Sequence, residues 1–351
     1  MRLLPIICEA AIQVDLPPPQ PASAISLPAW KLILRKNFTR LETLVDYLEL
    51  SPEQCDELLN RPNFALNVPL RLAQKMAKRT LDDPLVRQFL PLKKEMENHP
   101  LFGMDPVGDE LCRRESSLLH KYQGRVLLVC TSACAMHCRY CFRQNFSYDT
   151  KNKSFSHELA LIRKDNTIHE VILSGGDPLS LPDEWIQNLF SELEQIEHVK
   201  RIRFHTRFPI GIPERINASF LEIVEQCSKQ LFFVIHVNHP KELDADIFDR
   251  LKALQKRGCV LLNQSVLLRG VNDQADVMTE LCESLADHGI LPYYLHQLDR
   301  VKGVSHFEVE EIAGLQLMKE VSGRLSGYAV PRYVREIIGE PGKTVINSTK
   351  I

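Results

Sequence analysis

Cys134-Ala135-Met136-His137-Cys138-Arg139-Tyr140-Cys141 follows a short apolar run, Val126–Val129, and holds three cysteines spaced CxxxCxxC with an aromatic residue before the third. Three thiolates can hold three irons of a 4Fe–4S cube and leave the fourth iron open to a non-protein ligand, whereas an ordinary electron-transfer cluster takes four thiolates. A structural zinc site asks for four closed ligands, usually as two CxxC-like pairs. Here the fourth would have to be His137 or a distant cysteine such as Cys130, so zinc fits the spacing less well. A disulfide framework is disfavoured by compartment. Leu3–Ile7 is short and cut off by Glu9, so no secretory signal is visible, and reduced cysteines in the cytoplasm more often serve metal or catalysis. The remaining cysteines, Cys8, Cys55, Cys112, Cys130, Cys227, Cys259 and Cys282, are scattered and read as small core residues.

After Lys121, apolar runs alternate with amphipathic stretches. Strands are expected at Val126–Val129, Val171–Leu173, Ile202–His205, Phe232–His236, Leu261–Val266 and Tyr293–Leu298. Helices are expected at Trp185–Ile196, Ala218–Cys227, Ile247–Gln255 and Asp276–Ala286. Such alternation implies a parallel sheet. Six units with polar residues at the strand ends suggest an α/β fold of the incomplete (β/α)6 barrel type, with a doubly wound sheet as the alternative. In barrels the working residues sit at the C-terminal strand ends, which is where the cysteines fall. Upstream, 28–100 reads as helical: Trp30 to Leu34 opens one helix, Ser51-Pro52-Glu53-Gln54 starts another, and Val68-Pro69-Leu70 a third. Pro17-Pro18-Pro19 with Pro21 marks a stiff lead-in. The expected division is a helical region 1–110, a partial barrel 111–300 and a C-terminal segment 301–351.

The 351 residues are 44% hydrophobic and 25% charged with a net charge of −2, which points to a globular chain and gives no sign of a nucleic-acid or membrane binder. No apolar run reaches the ~18 residues needed to cross a bilayer. Among the other polar clusters, Ser174-Gly175-Gly176-Asp177-Pro178 follows the second strand, where glycines let backbone approach a ligand and Asp177 could hold a polar group; on its own such a stretch is usually a turn. His205-Thr206-Arg207 ends the third strand, and His236-Val237-Asn238-His239 the fourth. Arg125 and Arg143 flank the cysteines, and an arginine fork suits carboxylate or phosphate. Lys343, after Gly342, could reach an aldehyde cofactor as a Schiff base, although composition does not single it out.

The cysteine spacing resembles the signature of radical S-adenosylmethionine enzymes. From Asp83-Pro84-Leu85 to Lys343 the ordered blocks resemble the lysine 2,3-aminomutase family. They include Tyr122-Gln123-Gly124-Arg125, the cysteine triplet with Arg139 and Arg143, Ser174–Pro178, Thr206-Arg207, Asn238-His239-Pro240, Asn263–Asp273, Tyr293-Tyr294-Leu295, Gln297, Asp299 and His306-Phe307. The resemblance implies a 4Fe–4S cluster on Cys134, Cys138 and Cys141, with S-adenosylmethionine at its open iron and a glycine edge at Gly175 and Gly176. It implies pyridoxal 5'-phosphate on Lys343 near Arg125 and Tyr122, the substrate carboxylate on Arg143, and the distal ammonium of L-lysine on Asp299. A second family aspartate falls on Glu336, a departure that keeps the charge. Lys121 stands at the place of a cofactor-side arginine, and the family's glycine run is reduced to Gly339-Glu340-Pro341-Gly342.

The chain stops at Ile351, short of the cysteine-bearing tail of the larger catabolic enzymes, so no structural zinc is expected. The resemblance is to the short bacterial branch that makes (R)-β-lysine for elongation factor P. That implies a cytoplasmic isomerase, an external electron donor such as flavodoxin, and a functional link to the elongation factor P lysyl ligase. Two other readings stand beside it: an aminomutase acting on another amino acid such as glutamate, and a non-catalytic iron–sulfur or zinc protein. His205, His236 and His239 carry no assigned role.

Overall fold

The six apolar runs after Lys121 form six parallel strands. The computed structural model describes residues 27–148 and 154–347, so Leu3–Ile7 and the prolines from Pro17 to Pro21 lie outside the described residues. The sheet has ten strands in chain order: β1 Arg113–Glu115, β2 Leu118–Tyr122, β3 Arg125–Thr131, β4 Glu170–Gly175, β5 Arg201–Thr206, β6 Gln230–His236, β7 Val260–Val266, β8 Leu291–His296, β9 Arg332–Arg335 and β10 Thr344–Val345. β3 to β9 run parallel, while β1–β2–β3 and β9–β10 are antiparallel borders. The strand order is linear, so the barrel is not closed.

Each parallel step crosses over through a helix: Ser156–Lys164, Asp183–Glu194, Ala218–Gln226, Ala245–Gln255, Ala275–Asp287 and Glu311–Arg324. The outer face of the sheet is apolar. Val126, Leu128, Val171, Leu173, Ile202, Phe204, Phe233 and Leu261 are buried, and Phe204 stacks on Phe233 at 4.7 Å. Burying each such side chain is worth about 1.5–3 kcal/mol. Because side chains alternate along a strand, the inner face of β5 presents Arg203 and His205 to a central cavity. Residues of the six strands β3 through β8 line that same cavity, as does Glu336 immediately after β9. The sheet therefore curls around it as an incomplete β/α barrel.

Three elements differ from expectation. β8 ends at His296, two residues before the expected limit; Gln297 still donates its backbone N–H to Val334 O of β9 at 2.7 Å, while its side-chain amide turns to Val309 O at 2.7 Å. β9 adds a seventh parallel strand beside β8, which carries Glu336 to the cavity rim. The region expected as helical consists of short helices, the longest being Leu41–Leu48 with eight residues. The start signal at Ser51 forms a reciprocal cap, with Ser51 Oγ accepting from Gln54 N at 3.3 Å and Gln54 Oε1 accepting from Ser51 N at 2.9 Å. Trp30, Leu44, Leu72 and Phe89 from this region join the same apolar core as the barrel helices.

Candidate active site

The cysteine loop leaves the C-terminal end of β3 and is pinned from outside by the short-helix region. Asn37 Nδ2 donates to Ala135 O at 2.7 Å, Asn67 Nδ2 to Cys134 O at 3.2 Å, and His137 N to Asn67 O at 2.9 Å. Arg139, almost wholly buried, is paired with Glu95 and donates to Phe64 O at 2.7 Å. From inside, the loop rests on Gly175 and Gly176. A Cβ on Gly176 would lie 2.3 Å from Ala133 O, and one on Gly175 would lie 2.5 Å from Thr131 O, with φ at +118°. The two glycines are thus required by the approach of the cysteine loop itself. Asp177 fixes the same corner, accepting from Leu179 N, Thr206 Oγ1, Arg207 N and Phe208 N at 2.8–3.0 Å. Its oxygens are taken up by the chain, and burial pushes its carboxyl up to about 6.

Cys134, Cys138 and Cys141 are free thiols on one wall of the cavity. Burial, with the nearby Asp177 and the other two cysteines adding to it, drives Cys134 well above the usual thiol range; burial pushes Cys141 up to about 11. Such protons leave when a metal centre binds, which couples binding to pH. Among the described residues no group of three or more His, Cys, Asp or Glu side chains is placed to hold a single metal ion. The donor set, three neighbouring thiols that line one cavity, matches the three-thiolate requirement of a 4Fe–4S cube with one open iron. Arg143 behind them is buried between Asp109, at 3.0 Å, and Ser174 Oγ, at 3.0 Å.

Ionisable groups from β2, the loop after β8 and the β9–β10 connection line the same cavity, and Asp109 joins them to Arg143, its other carboxylate oxygen lying 3.6 Å from Lys121 Nζ. Lys343 Nζ lies 2.8 Å from Glu336 Oε2, Lys121 Nζ lies 3.1 Å from Glu336 Oε1, and the Tyr122 hydroxyl donates to the same carboxylate. Burial alone would raise Glu336, but Lys343 and Lys121 outweigh it and hold the carboxyl at about 2. Asp299 faces the same space. Its enclosure pushes the carboxyl up to about 6 against the pull of Lys343. Arg125 lies over the Tyr122 ring at 4.4 Å.

In the same cavity, burial and then Arg203 hold His205 well below the usual imidazole range, and burial takes His236 down to about 3. His205 Nε2, His296 Nε2 and Arg203 Nε are buried without a hydrogen-bond partner among the described residues. Buried polar nitrogens without a partner, in a cavity also lined by Arg125, Lys121 and a lysine amine, fit an anionic cofactor with an aldehyde. His239 lies apart and caps the turn that begins at Pro240, accepting from Lys241 N at 3.1 Å. The cavity that these residues line is about 500 Å³, in the range of small-molecule sites. The site thus brings the cysteines, Arg125, Tyr122, Arg143, Gly175, Gly176, Asp177, Asp299, Glu336 and Lys343 to one cavity. Sequence reasoning missed Asp109, Arg203 and His296, which no motif marks; alternation along β5 and β8 was the available signal for the last two.

Residues 122–245 match the family model described as a 4Fe-4S single cluster domain. The chain is 39% identical over 320 residues to the L-lysine 2,3-aminomutase of Haemophilus influenzae, covering 90% of this chain and 95% of that one. It is 42% identical over 287 residues to the L-lysine 2,3-aminomutase of Escherichia coli, covering 81% and 84%. Among solved structures, SuiB of Streptococcus suis bound to S-adenosylmethionine superposes with a TM-score of 0.46 at 16% identity, over 62% of this chain and 51% of that one, an overlap too partial to carry an argument.

Proposed function

The chain belongs to the L-lysine 2,3-aminomutase family, and on that premise we propose that it converts L-lysine to (R)-β-lysine by moving the amino group from C2 to C3. It is an isomerase of the aminomutase type, served by a 4Fe–4S cluster, S-adenosylmethionine and pyridoxal phosphate. The observation that carries the lysine reading is the pair of carboxylates, Glu336 and Asp299, set beside Lys343 in the cavity that the three cysteines also line.

When bound, the cluster with S-adenosylmethionine supplies hydrogen-atom abstraction, and pyridoxal phosphate stabilises an unpaired electron beside the migrating nitrogen. Cys134, Cys138 and Cys141 would hold the cluster. The Gly175–Gly176 edge, shaped from behind by Asp177, would flank S-adenosylmethionine. Lys343 would carry pyridoxal phosphate, with Arg125 and Tyr122 beside it. The chain's own contribution is positioning. Arg143, fixed by Asp109, would orient the substrate carboxylate. Asp299 and Glu336 would take the distal ammonium, a charge pairing that a glutamate side chain would repel.

No helix among the described residues is long and apolar enough to cross a membrane. We place the enzyme in the cytoplasm, reduced by an external donor such as flavodoxin, with its β-lysine passing to elongation factor P through that factor's lysyl ligase. The division into a helical region 1–110, a partial barrel 111–300 and a C-terminal segment 301–351 belongs to the same reading. Anaerobic incubation of the reconstituted protein with lysine and, separately, glutamate, followed by chiral separation, tests the assignment. (R)-β-lysine is expected; turnover of glutamate in preference to lysine would overturn it.

A further inference from the structure

Arg207, the residue after β5, is buried and has four acceptors. Its Nη1 lies 2.6 Å from Cys138 Sγ and 2.6 Å from the Tyr140 hydroxyl oxygen. Its Nη2 lies 2.8 Å from Gln88 Oε1 and 2.7 Å from Glu242 Oε2. Glu242 is itself wholly buried, and its other oxygen accepts from Asn238 N and His239 N, both at 3.0 Å. The backbone N of Arg207 is tied to Asp177 at 2.8 Å. The guanidinium is thus clamped at both ends and has little freedom to turn away from the sulfur. Nothing in the aminomutase chemistry derived above uses it.

We infer that Arg207 is a positioning residue that donates a charge-assisted hydrogen bond to the Cys138 sulfur and thereby sets the cluster's reduction potential. The inference rests on the reading of Cys138 as a cluster ligand. Reduction adds one electron from a low-potential one-electron donor to the cluster, with no proton and no bond broken. The added electron makes the cluster and its thiolates more negative. A fixed cation with its N–H aimed at one of those sulfurs stabilises the reduced form more than the oxidised one. Hydrogen bonds to cluster sulfurs and local charge are the levers by which a protein tunes such potentials. Burial increases the effect, since little water screens the pair.

The test is a redox titration with dithionite and mediators, followed by electron paramagnetic resonance, on reconstituted parent, Arg207→Gln and Arg207→Lys, each with iron and sulfide content measured. The expected order of potentials is parent, then Arg207→Lys, then Arg207→Gln. At a fixed ambient potential the Gln variant should show at least a tenfold lower ratio of reduced to oxidised cluster, about 59 mV for one electron. Lysine keeps the charge but cannot reach the sulfur, Gln88 and Glu242 together, so it too should fall below the parent. If Arg207→Gln fails to hold a cluster, Arg207→Lys decides: a full cluster at the parental potential overturns the inference. A parent protein that assembles no cluster would instead remove the reading on which it rests.

Discussion

Lys343 and Glu336, seven residues apart, meet at 2.8 Å across the β9–β10 connection, with Glu336 almost fully enclosed. The same carboxylate accepts from Lys121 at 3.1 Å and from Tyr122. β9 brings Glu336 to the cavity rim, and β10 pairs back antiparallel, with Thr344 opposite Arg335. The hairpin therefore fixes where the Lys343 amine stands. One carboxylate draws together residues from β2 and from the last hairpin, the two borders of the open sheet.

Glu336 should make folding stability depend on acid pH. Its carboxyl falls from an ordinary 4.5 to about 2. A depressed pKa contributes stability that is fully present above the unfolded value and is lost as pH falls through the folded one. Each pH unit in that interval corresponds to about 1.4 kcal/mol, so the linkage is at most about 3 kcal/mol. Urea unfolding of parent and Glu336→Gln should differ by a constant amount above about pH 5 and converge as pH drops toward 2. Parallel curves down to pH 3 would show that Glu336 is not held ionised by its neighbours.

Lys343→Ala should lose the yellow absorbance of bound pyridoxal phosphate while keeping its iron. The Lys343 amine is bonded to Glu336 rather than to the cysteine loop, so its loss leaves the hydrogen bonds that pin that loop in place. Borohydride reduction of the parent followed by peptide mapping checks the assignment; a pyridoxyl group on any other lysine would refute it.

Cys134→Ala, Cys138→Ala and Cys141→Ala should each abolish the oxygen-sensitive cluster and cleavage of S-adenosylmethionine. Cys282→Ala, in the barrel's outer core, should keep normal iron after reconstitution. Full iron loading in Cys138→Ala would exclude the trio as the ligand set.

Six strands were legible because each is a run of apolar, often β-branched residues bounded by turns and followed by an amphipathic helix. β9 was not, since Arg332-Tyr333-Val334-Arg335 is a short run flanked by charges and gains its strand character from pairing with β8 and β10. The helix Glu311–Arg324 was missed for another reason: it contains Gly314 and Gly323, and Gly314 is needed because a Cβ there would lie 2.2 Å from the Tyr333 hydroxyl. The cysteines, Lys343 and Asp299 carried motif signals through resemblance. The contacts among them did not. Arg207 meets Cys138 across 69 residues of chain, and no local pattern encodes a pairing that depends on how β5 sits against the β3 loop.

Gly176→Ala should disturb the cluster without touching a ligand. The added Cβ would lie 2.3 Å from Ala133 O and 2.7 Å from Ser132 O, so backbone next to Cys134 has to move. Overpacking of this kind costs typically 1–3 kcal/mol. The variant is expected to fold with a lowered melting temperature and to take up clearly less iron than the parent. Parental iron content and melting temperature together would mean the loop yields freely.

Asp299 should give lysine turnover an acidic limb. The carboxyl sits at about 6 because its surroundings enclose it, while Lys343 pulls it down and Glu336 pushes it up. Lysine's distal ammonium, ordinarily near pKa 10.4, stays charged throughout this range. As pH falls through 6 the carboxyl takes a proton and the attraction is lost, so KM for lysine should rise about tenfold per unit below that point. Removing one partner of a buried ion pair costs roughly 3–5 kcal/mol, and each 1.4 kcal/mol is about tenfold. Asp299→Asn should therefore lose two orders of magnitude or more in kcat/KM at pH 8 and show no limb near pH 6. Its iron, pyridoxal phosphate content and melting temperature should match the parent. If Asp299 serves only the loop after β8, the variant would instead lose stability and keep both the limb and the lysine kinetics. Measuring pH profiles of kcat/KM beside thermal unfolding separates the two, and an unchanged lysine profile in a well-folded Asp299→Asn protein would remove the distal-ammonium assignment.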